Sequence, residues 1–148
     1  AEEEKNAERQ AERRKFRELS RRQDEIAKSA RDVWKELREL RRLLEQNHLA
    51  TETEQRRFKE EITHPLEELT EEALPRNSRD LRSLRDSDGS QSEQRRASRD
   101  AAEIARNFEK IAKRLQNTKK FRELLNRLRI IIDKQGEVIT ETQRELRR

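Results

Sequence analysis

The sequence contains no cysteine, no methionine and no tyrosine, and it has only two glycines and two prolines. Without cysteine the chain has neither a disulfide framework nor a thiolate metal site. Glycine and proline are too scarce for the turns of a β-sandwich or the loops of a Rossmann fold. A Gly-x-Ser-x-Gly elbow and a phosphate-binding loop are also missing. The sequence therefore favours an architecture with few turns and predicts no catalytic activity.

Charged residues dominate what is present. Of 148 residues 47% are charged and 29% are hydrophobic, and 37 basic against 32 acidic side chains give a formal net charge of +5. Chains with so few apolar residues are disordered mainly when their net charge is high, and here it is small for the length. Composition alone therefore fits both a long-helix protein and a disordered one, and the spacing of the apolar residues has to decide.

No apolar stretch is long enough to cross a membrane. The longest uninterrupted run is Ile130-Ile131-Ile132, whereas a spanning helix needs about 20 residues. We therefore expect no membrane insertion by this segment. The chain opens with Ala1 and three glutamates, without an initiator methionine or the apolar stretch of a signal peptide. We expect a fragment of a longer protein, and its cell compartment stays open.

Apolar residues in the first third of the chain recur at alternating steps of three and four. The positions are Phe16, Leu19, Ile26, Ala30, Val33, Leu37, Leu40 and Leu44, with Gln23 filling the one gap. This spacing predicts a helix over roughly residues 3 to 48 with one apolar face. Within this helix the apolar residues ahead of Phe16 are Ala7 and Ala11 alone, so the helix is expected to overhang its neighbours. We expect a partner to cover an exposed end that still carries Phe16 and Leu19.

A second helix is predicted to begin after Thr51, which forms a capping box with Glu54. Its apolar positions are Phe58, Ile62, Leu66, Leu69 and Ala73 or Leu74. Pro65 predicts a kink or a restart, because proline lacks an amide donor and its ring collides with the carbonyl four residues back. Pro75 predicts the end of the helix, because the residue before a proline is driven toward extended geometry. A short helical turn over 78–85 would follow.

Loop composition occurs only at 86–90, where Ser90 and Glu93 offer a second capping box. Two apolar series follow this loop. The third helix carries Ala97, Ala101, Ile104, Phe108, Ile111 and Leu115, and the last carries Phe121, Leu125, Leu128, Ile132, Gln135, Ile139, Thr142 and Leu146. The two series are out of register, and residues 116–120 contain no glycine or proline. This stretch therefore predicts either a chain reversal or one continuous helix with an irregular turn.

Four amphipathic segments with short connections predict an all-α fold. We expect an elongated antiparallel bundle of four main helices with coiled-coil-like packing, in which helix 1 is long and overhanging. Residues 1–148 are expected to form a single helical domain, with helix 1 and the last helix antiparallel. The predicted core and interaction seam consists of Phe16, Leu19, Ile26, Val33, Leu37, Leu40, Leu44, Phe58, Ile62, Leu69, Ile104, Phe108, Ile111, Leu125, Leu128, Ile132 and Ile139.

The sharpest chemical signal is a pair of Glu-x-x-His units, Glu45 to His48 and Glu61 to His64. In four-helix bundles this motif on two helices, with a glutamate from each of the others, holds a di-iron centre. Glutamate is abundant in this chain, however, and Leu44 on the seam turns Glu45 and His48 toward the flank of their helix. We therefore favour surface or capping histidines over a metal-carboxylate bundle, and we expect no cofactor.

Basic residues are concentrated toward the C-terminus. Residues 89–148 hold 16 basic and 9 acidic side chains, whereas 49–88 hold 7 and 11. Such a segment is able to neutralise phosphates. Glu103, Glu109 and Glu123 interrupt it, and no aromatic side chain is interleaved for base stacking. A solvated, salt-bridged helix face is the favoured interpretation, and nucleic-acid binding through 89–148 is the alternative.

Three further stretches have a less generic character than heptads. They are 47–51 with Arg57-Phe58, 62–69 leading to Ala73-Leu74-Pro75, and 121–125 with 128–131, Gln135 and Thr142. In these, over about two thirds of its length, the chain resembles a helical, coiled-coil-rich segment of very large, predicted membrane-anchored proteins of planctomycete bacteria. That family often has an acidic residue before the Phe, where this chain has Lys120. The resemblance implies an envelope-associated helical scaffold and supplies no catalytic residues.

From these patterns we expect a structural or protein–protein interaction scaffold. The expected partners are proteins, either further copies of this chain or neighbouring parts of a longer one. Nucleic-acid binding is the alternative function, and a metal-carboxylate bundle is less favoured than either.

Overall fold

The structure, a computed structural model, describes residues 1–86, 91–116 and 122–146, with the side chains of these ranges except 85, 86 and 122–127. Within the described residues every regular element is helical and none is a strand. Four helical rods pack against one another around an apolar core. The predicted all-α bundle with a long first helix is confirmed.

The first rod is helix α1, Glu2–Gln46, whose 45 residues span about 68 Å at 1.5 Å per residue. Three glutamates in its first turn lie at the positive end of the helix dipole. The helix ends at a Schellman-type reversal. There His48 has a left-handed φ of 52°, and the Leu49 amide donates to the Leu44 carbonyl at 3.0 Å. These bonds satisfy carbonyls that a helix end otherwise leaves free.

The second rod comprises residues 52–86 in five helical pieces. They are α2 Glu52–Phe58, a π-helical turn Lys59–Thr63, α3 His64–Glu68, a second π-helical turn Leu69–Ala73, and α4 Leu74–Asp86. The Glu54 amide donates to the Thr51 hydroxyl at 3.1 Å, so α2 begins at the predicted cap. In return, the Glu54 carboxylate accepts a hydrogen bond from the Thr51 hydroxyl at 3.2 Å.

Both prolines lie inside the second rod, and each is the second residue after a π-helical turn. Pro65 stands in the first turn of α3, in agreement with the predicted restart. For Pro75 the prediction is wrong, because Leu74 is helical (φ −65°, ψ −47°) and α4 continues beyond it. In each π-helical turn the amide of the residue before the proline bonds to the carbonyl five residues back. This wider turn accommodates the proline ring, which an ordinary α-helical turn does not.

Replacing Thr51 by Ala is expected to lower the free energy of unfolding by about 1 kcal/mol, because the first amides of α2 lose their side-chain acceptor. Urea unfolding followed by circular dichroism measures the change. Thr53→Ala is the matched control, because Thr53 is exposed within α2 and alanine has the higher helix propensity. Equal stability of the two variants would mean that the cap does not stabilise the fold.

The third rod is α5, Gln91–Gln116, and the fourth is α6, Arg122–Leu146. They form an antiparallel hairpin, in which Gln135 bonds to the Ala101 carbonyl and Ser98 lies across a small cleft from Gln143. The chain therefore reverses between α5 and α6, which resolves the alternative that the sequence left open. The predicted capping box at Ser90 lies outside the described residues.

Neighbouring rods are antiparallel around the whole bundle. The second rod and α6 each pack against both α1 and α5. Ion pairs mark the register of these contacts: Arg31–Glu71 at 3.1 Å, Arg22–Glu141 at 2.7 Å, Arg114–Glu61 at 2.7 Å and Arg96–Asp80 at 3.6 Å. The two helices α1 and α5 therefore lie on one diagonal of the bundle, and the second rod and α6 lie on the other.

The N-terminal end of α1 projects beyond the bundle. Residues 1–14 are all exposed, whereas Phe16 and Leu19 are 2% and 0% exposed. The expectation that these two side chains belong to an uncovered end is wrong, because both pack in the core. At this level Lys15 reaches the buried carboxylate of Glu145, near the end of α6, at 3.8 Å. The overhang begins just before that pair and carries no large apolar side chain.

The buried stripe of α6 differs from the predicted one at alternate positions. Leu128 is buried, but the next core positions are Ile131 and Val138, whereas Ile132 and Ile139 are half-buried. A further buried position on this side of α6 is Glu145, which pairs with Lys15 of α1. The reason for the difference is that α6 packs against both α5 and α1, whereas the apolar series in the sequence was assigned to a single contact face.

Candidate interaction surfaces

The predicted seam residues fall into three groups. Buried in the core are Phe16, Leu19, Ile26, Val33, Leu37, Ile62, Leu69, Ile104, Phe108, Ile111 and Leu128. Half-buried are Leu40, Leu44, Phe58, Ile132 and Ile139, and Leu125 lies outside the described side chains. Among the described large apolar side chains, those that are exposed are the scattered Leu43, Leu49 and Ile130. The described part of the seam is thus occupied by the bundle itself, and the surface that the described side chains present is polar or mixed.

A polar layer crosses the core and touches all four rods. On α1, the buried Gln23 side-chain amide donates to Asn77 Oδ1 at 2.6 Å, and the Asn77 side-chain amide donates to the backbone carbonyl of Ala97 on α5 at 3.0 Å. On α6, the Gln135 amide donates to the Ala101 carbonyl at 2.9 Å. The small alanine side chains leave the α5 backbone accessible to these amides. In the described residues the Gln23 and Gln135 carbonyl oxygens have no partner.

A serine contact lies beside this layer, between α1 and α4. The Ser20 hydroxyl donates to the Ser78 carbonyl at 3.1 Å, and the Ser78 hydroxyl donates to the Asp24 carboxylate at 2.6 Å. Both serines are buried. Two small side chains at this level allow α1 and α4 to approach closely, and each hydroxyl is satisfied by the opposite rod. Such matched polar groups favour one register of the two rods over slipped ones.

The sequence reveals only half of this layer. Gln23 and Gln135 stand on the predicted apolar seam, and a polar residue at such a position indicates a hydrogen-bonding side chain in the core. Asn77 and Ser78 were missed, because Pro75 was expected to end the helix before them. An Asn-Ser pair at helical spacing from Leu74 and Leu81 was the available signal.

A groove of about 470 Å³ runs between the second rod and α5. Its apolar floor is formed by Pro65, Leu69, Ala73, Ile104 and Ile111. Its walls carry the carboxylates of Glu60, Glu61, Glu68, Glu72, Asp100 and Glu103 and the cations of Arg76, Lys110 and Arg114. Both π-helical turns of the second rod contribute to the lining, and such turns are frequent at functional sites. The groove therefore combines an apolar floor with charged walls of both signs.

Three glutamates of the second rod, Glu60, Glu68 and Glu72, form what we call the acidic stripe along one wall of this groove. All three are exposed. The carboxylate of Glu68 lies 3.4 Å from His64 Nε2. The neighbouring Glu61 is already paired with Arg114. Glu60 and Glu72 form no ion pair with another residue that the structure describes.

A row of five exposed cations, here called the basic ridge, follows the outer side of α5. Its members are Arg95, Arg99, Arg106, Lys110 and Lys113, which fall within about 60° of one another at 3.6 residues per turn. None of the five forms an ion pair with a described residue. Two acidic side chains of α5 flank the ridge, because Glu103 and Glu109 lie about 20° and 40° from its two edges at 3.6 residues per turn.

Ion pairs between rods hold the register of the bundle. Arg22 of α1 bonds to Glu141 of α6 at 2.7 Å, and this hydrogen bond raises the pKa of Arg22. Within α1, a hydrogen bond from Arg21 lowers the pKa of the half-buried Glu18. Such pairs at the surface stabilise little individually, so they select a register more than they hold the fold together.

In the two Glu-x-x-His units, Glu45 and both histidines are exposed, and Glu61 is half-buried. His48 forms the exposed reversal after α1, and His64 is exposed beside Glu68. Glu61 is turned toward Arg114. Across the described residues, no three His, Cys, Asp or Glu side chains are grouped as metal ligands. The geometry gives His48 a role in the turn of the backbone.

None of the helices that the structure describes contains an apolar stretch sufficient to span a bilayer. In comparisons with known proteins, no family model matches the chain, and neither a curated protein nor a solved structure is significantly similar to it.

Proposed function

We propose that this chain is a structural and protein-interaction scaffold without catalytic activity. The supporting observation is α1, an unbroken helix that is fixed by the bundle over its buried seam and projects beyond it as residues 1–14. Because the projecting part continues a helix that is already formed, it needs no nucleation of its own. A rod anchored in this way sets a defined distance between whatever is bound at its ends.

The polar layer and the mixed groove also support a scaffold. The layer ties all four rods into one register, which gives a surface of fixed shape. The groove presents an apolar floor between charged walls, which suits a protein partner. The resemblance to planctomycete coiled-coil segments supports the same role and would place the scaffold at the cell envelope.

The scaffold role requires α1 to be rigid along its whole length, and electron–electron distance measurement tests this directly. Because the chain lacks cysteine, Glu8→Cys/Glu45→Cys introduces two spin labels on α1 alone. We expect a narrow distribution near 55 Å, roughly 37 residues at 1.5 Å each.

Glu25→Cys/Glu45→Cys is the control for this measurement, because both of its sites lie on the exposed side of α1 within the bundle. It should give a narrow distribution near 30 Å, about 20 residues along the helix. A broad distribution confined to the pair that includes Glu8 would contradict the scaffold role.

Nucleic-acid binding is the second candidate, and the basic ridge favours it. Five unpaired cations along one side of a helix are able to contact phosphates. The acidic stripe borders the same face and would repel an extended polyanion, so we rank this function below a protein scaffold.

A further inference from the structure

We propose that the small cleft between the first turns of α5 and the last turn of α6 binds the phosphate group of inorganic phosphate or of a small phosphate monoester. The residues that line this cleft are Ser92, Arg95, Ser98 and Arg99 of α5, and Gln143 and Leu146 of α6. Two of them are cations, three are neutral and able to form hydrogen bonds, one is apolar, and none is acidic. The inference goes beyond the scaffold function proposed above and does not depend on it.

Ser98 is the side chain that points most clearly to a ligand. It is 6% exposed and lines the cleft. Its hydroxyl forms no hydrogen bond with a residue that the structure describes, whereas the hydroxyls of the buried Ser20 and Ser78 both do. A polar group that is largely removed from water costs free energy unless it has a partner. A ligand oxygen in the cleft provides the acceptor that this hydroxyl lacks.

Two arginines give the cleft its charge. Arg95 and Arg99 lie one turn apart on α5, both are exposed, and neither forms an ion pair with a described residue. Like charges four residues apart destabilise a helix, and an oxyanion held between them removes that repulsion. Guanidinium groups suit phosphate because each presents parallel N–H donors to two oxygens. At 3.6 residues per turn both arginines lie within about 100° of Ser98, so the charges and the hydroxyl share one side of α5.

The carboxylates at this end of the hairpin lie away from the cleft. Asp100 and Glu103 of α5 line the groove against the second rod instead. Glu93 lies at least about 120° around α5 from each of the three binding side chains. On α6, Glu141 and Glu145 pair with cations of α1. The cleft is therefore locally positive, although both of its helices carry acidic residues.

A phosphate monoester matches these groups better than a singly charged anion does. Two guanidinium groups balance the nearly two negative charges that a phosphate monoester carries at neutral pH, whereas a carboxylate, a sulfate ester or a phosphodiester carries one. The Ser98 hydroxyl and the Gln143 amide are able to donate to further phosphate oxygens. Leu146 is half-buried and offers an apolar wall for the organic part of an ester.

Isothermal titration calorimetry tests the binding, at about 0.15 M salt to screen distant charges. We expect phenyl phosphate to saturate a single site on the chain, and phenyl sulfate, which has the same shape and one charge fewer, to bind about tenfold more weakly. Inorganic phosphate is the third probe. Affinity equal to that of phenyl phosphate would assign the site to the phosphate group alone, and weaker affinity would assign it to an ester. No saturable binding of either phosphate, or equal binding of phenyl sulfate, would overturn the proposal.

Ser98→Ala separates a ligand-binding hydroxyl from a structural one. We expect phenyl phosphate to bind this variant about tenfold more weakly, because a hydrogen bond to a charged group is lost. The unliganded variant should melt at the same temperature as the unmodified chain or higher, because the hydroxyl has no partner to lose and alanine has the higher helix propensity. Unchanged affinity, or a lower melting temperature, would overturn the assignment of this hydroxyl to the ligand.

The arginines are tested by Arg95→Gln/Arg99→Gln, which should lower the affinity for phenyl phosphate about 100-fold, roughly tenfold for each charge. Arg106→Gln/Lys113→Gln is the matched control, because it removes the same charge from exposed sites of α5 that do not line the cleft. Equal losses in the two variants would show that the net charge of α5 attracts the anion and would overturn the site. Binding of an oligonucleotide without terminal phosphates as tightly as phenyl phosphate would assign the arginines to polyanions, with the same consequence.

Discussion

Replacing Leu37 by Asp is expected to abolish the cooperative unfolding of the chain. Leu37 is 0% exposed and belongs to the core cluster. Truncating a buried leucine to alanine already costs about 2–5 kcal/mol, and burying an unpaired carboxylate adds several more. Native domains are stable by only about 5–15 kcal/mol. The thermal transition followed by circular dichroism should therefore lose its sigmoidal shape or disappear.

Leu43→Asp is the control for this prediction, because it makes the same chemical change on the same helix. Leu43 is 40% exposed, so its carboxylate stays hydrated and the melting transition should move little. If Leu37→Asp instead melts like the unmodified chain, the side chains at three-and-four spacing do not form the core that the structure shows.

The first rod shows how far sequence reasoning reaches. Its apolar residues keep one spacing from Phe16 to Leu37, and all of the large ones are buried. A helix with a single stripe has one way to bury it, so periodicity was enough. The spacing does not indicate how much of helix α1 the other rods cover, and Phe16 was therefore predicted to lie at an exposed end. The covering of Phe16 depends on where α6 ends, which is a tertiary property.

In the second rod, the prediction that a proline ends the helix fails at Pro75 because of the π-helical turn before it. A proline ring collides with the preceding turn of an α-helix. The π-helical turn before Pro75 contains one extra residue and leaves room for the ring, so the helix continues. No sequence rule available to us signals a π-helical turn. Its consequence was large, because the helix continues through Asn77, which was predicted to lie before the turn over 78–85, and both Asn77 and Ser78 lie in the core.

The last rod shows the limit of periodicity where apolar residues are adjacent. In Ile130-Ile131-Ile132 and in Val138-Ile139 two choices keep steps of three and four from Leu128. Only the position of α1 and α5 around α6 selects Ile131 and Val138 for the core. The charged surfaces were missed for a related reason. Charge was summed along the chain, whereas the basic ridge and the acidic stripe are properties of helix faces and of neighbouring rods.

Replacing Asn77 by Leu, a side chain of similar shape, is expected to lower the free energy of unfolding by about 2–4 kcal/mol, because leucine leaves buried polar partners unpaired. Asn77 is 1% exposed, accepts from Gln23 and donates to the Ala97 carbonyl. Urea unfolding measures the change. Asn107→Leu is the control, because Asn107 is half-buried at the groove and makes no side-chain hydrogen bond within the described residues.

A double replacement separates the loss of the hydrogen bond from a defect of packing. If the Gln23 amide is destabilising only when Asn77 is absent, Gln23→Leu/Asn77→Leu should lose less stability than the sum of the two single variants. The expected coupling is roughly 1–3 kcal/mol, since the second leucine removes the amide that the first left unpaired. Strictly additive losses would contradict this, because they would mean that the two side chains stabilise the bundle independently and that the polar layer does not act as a unit.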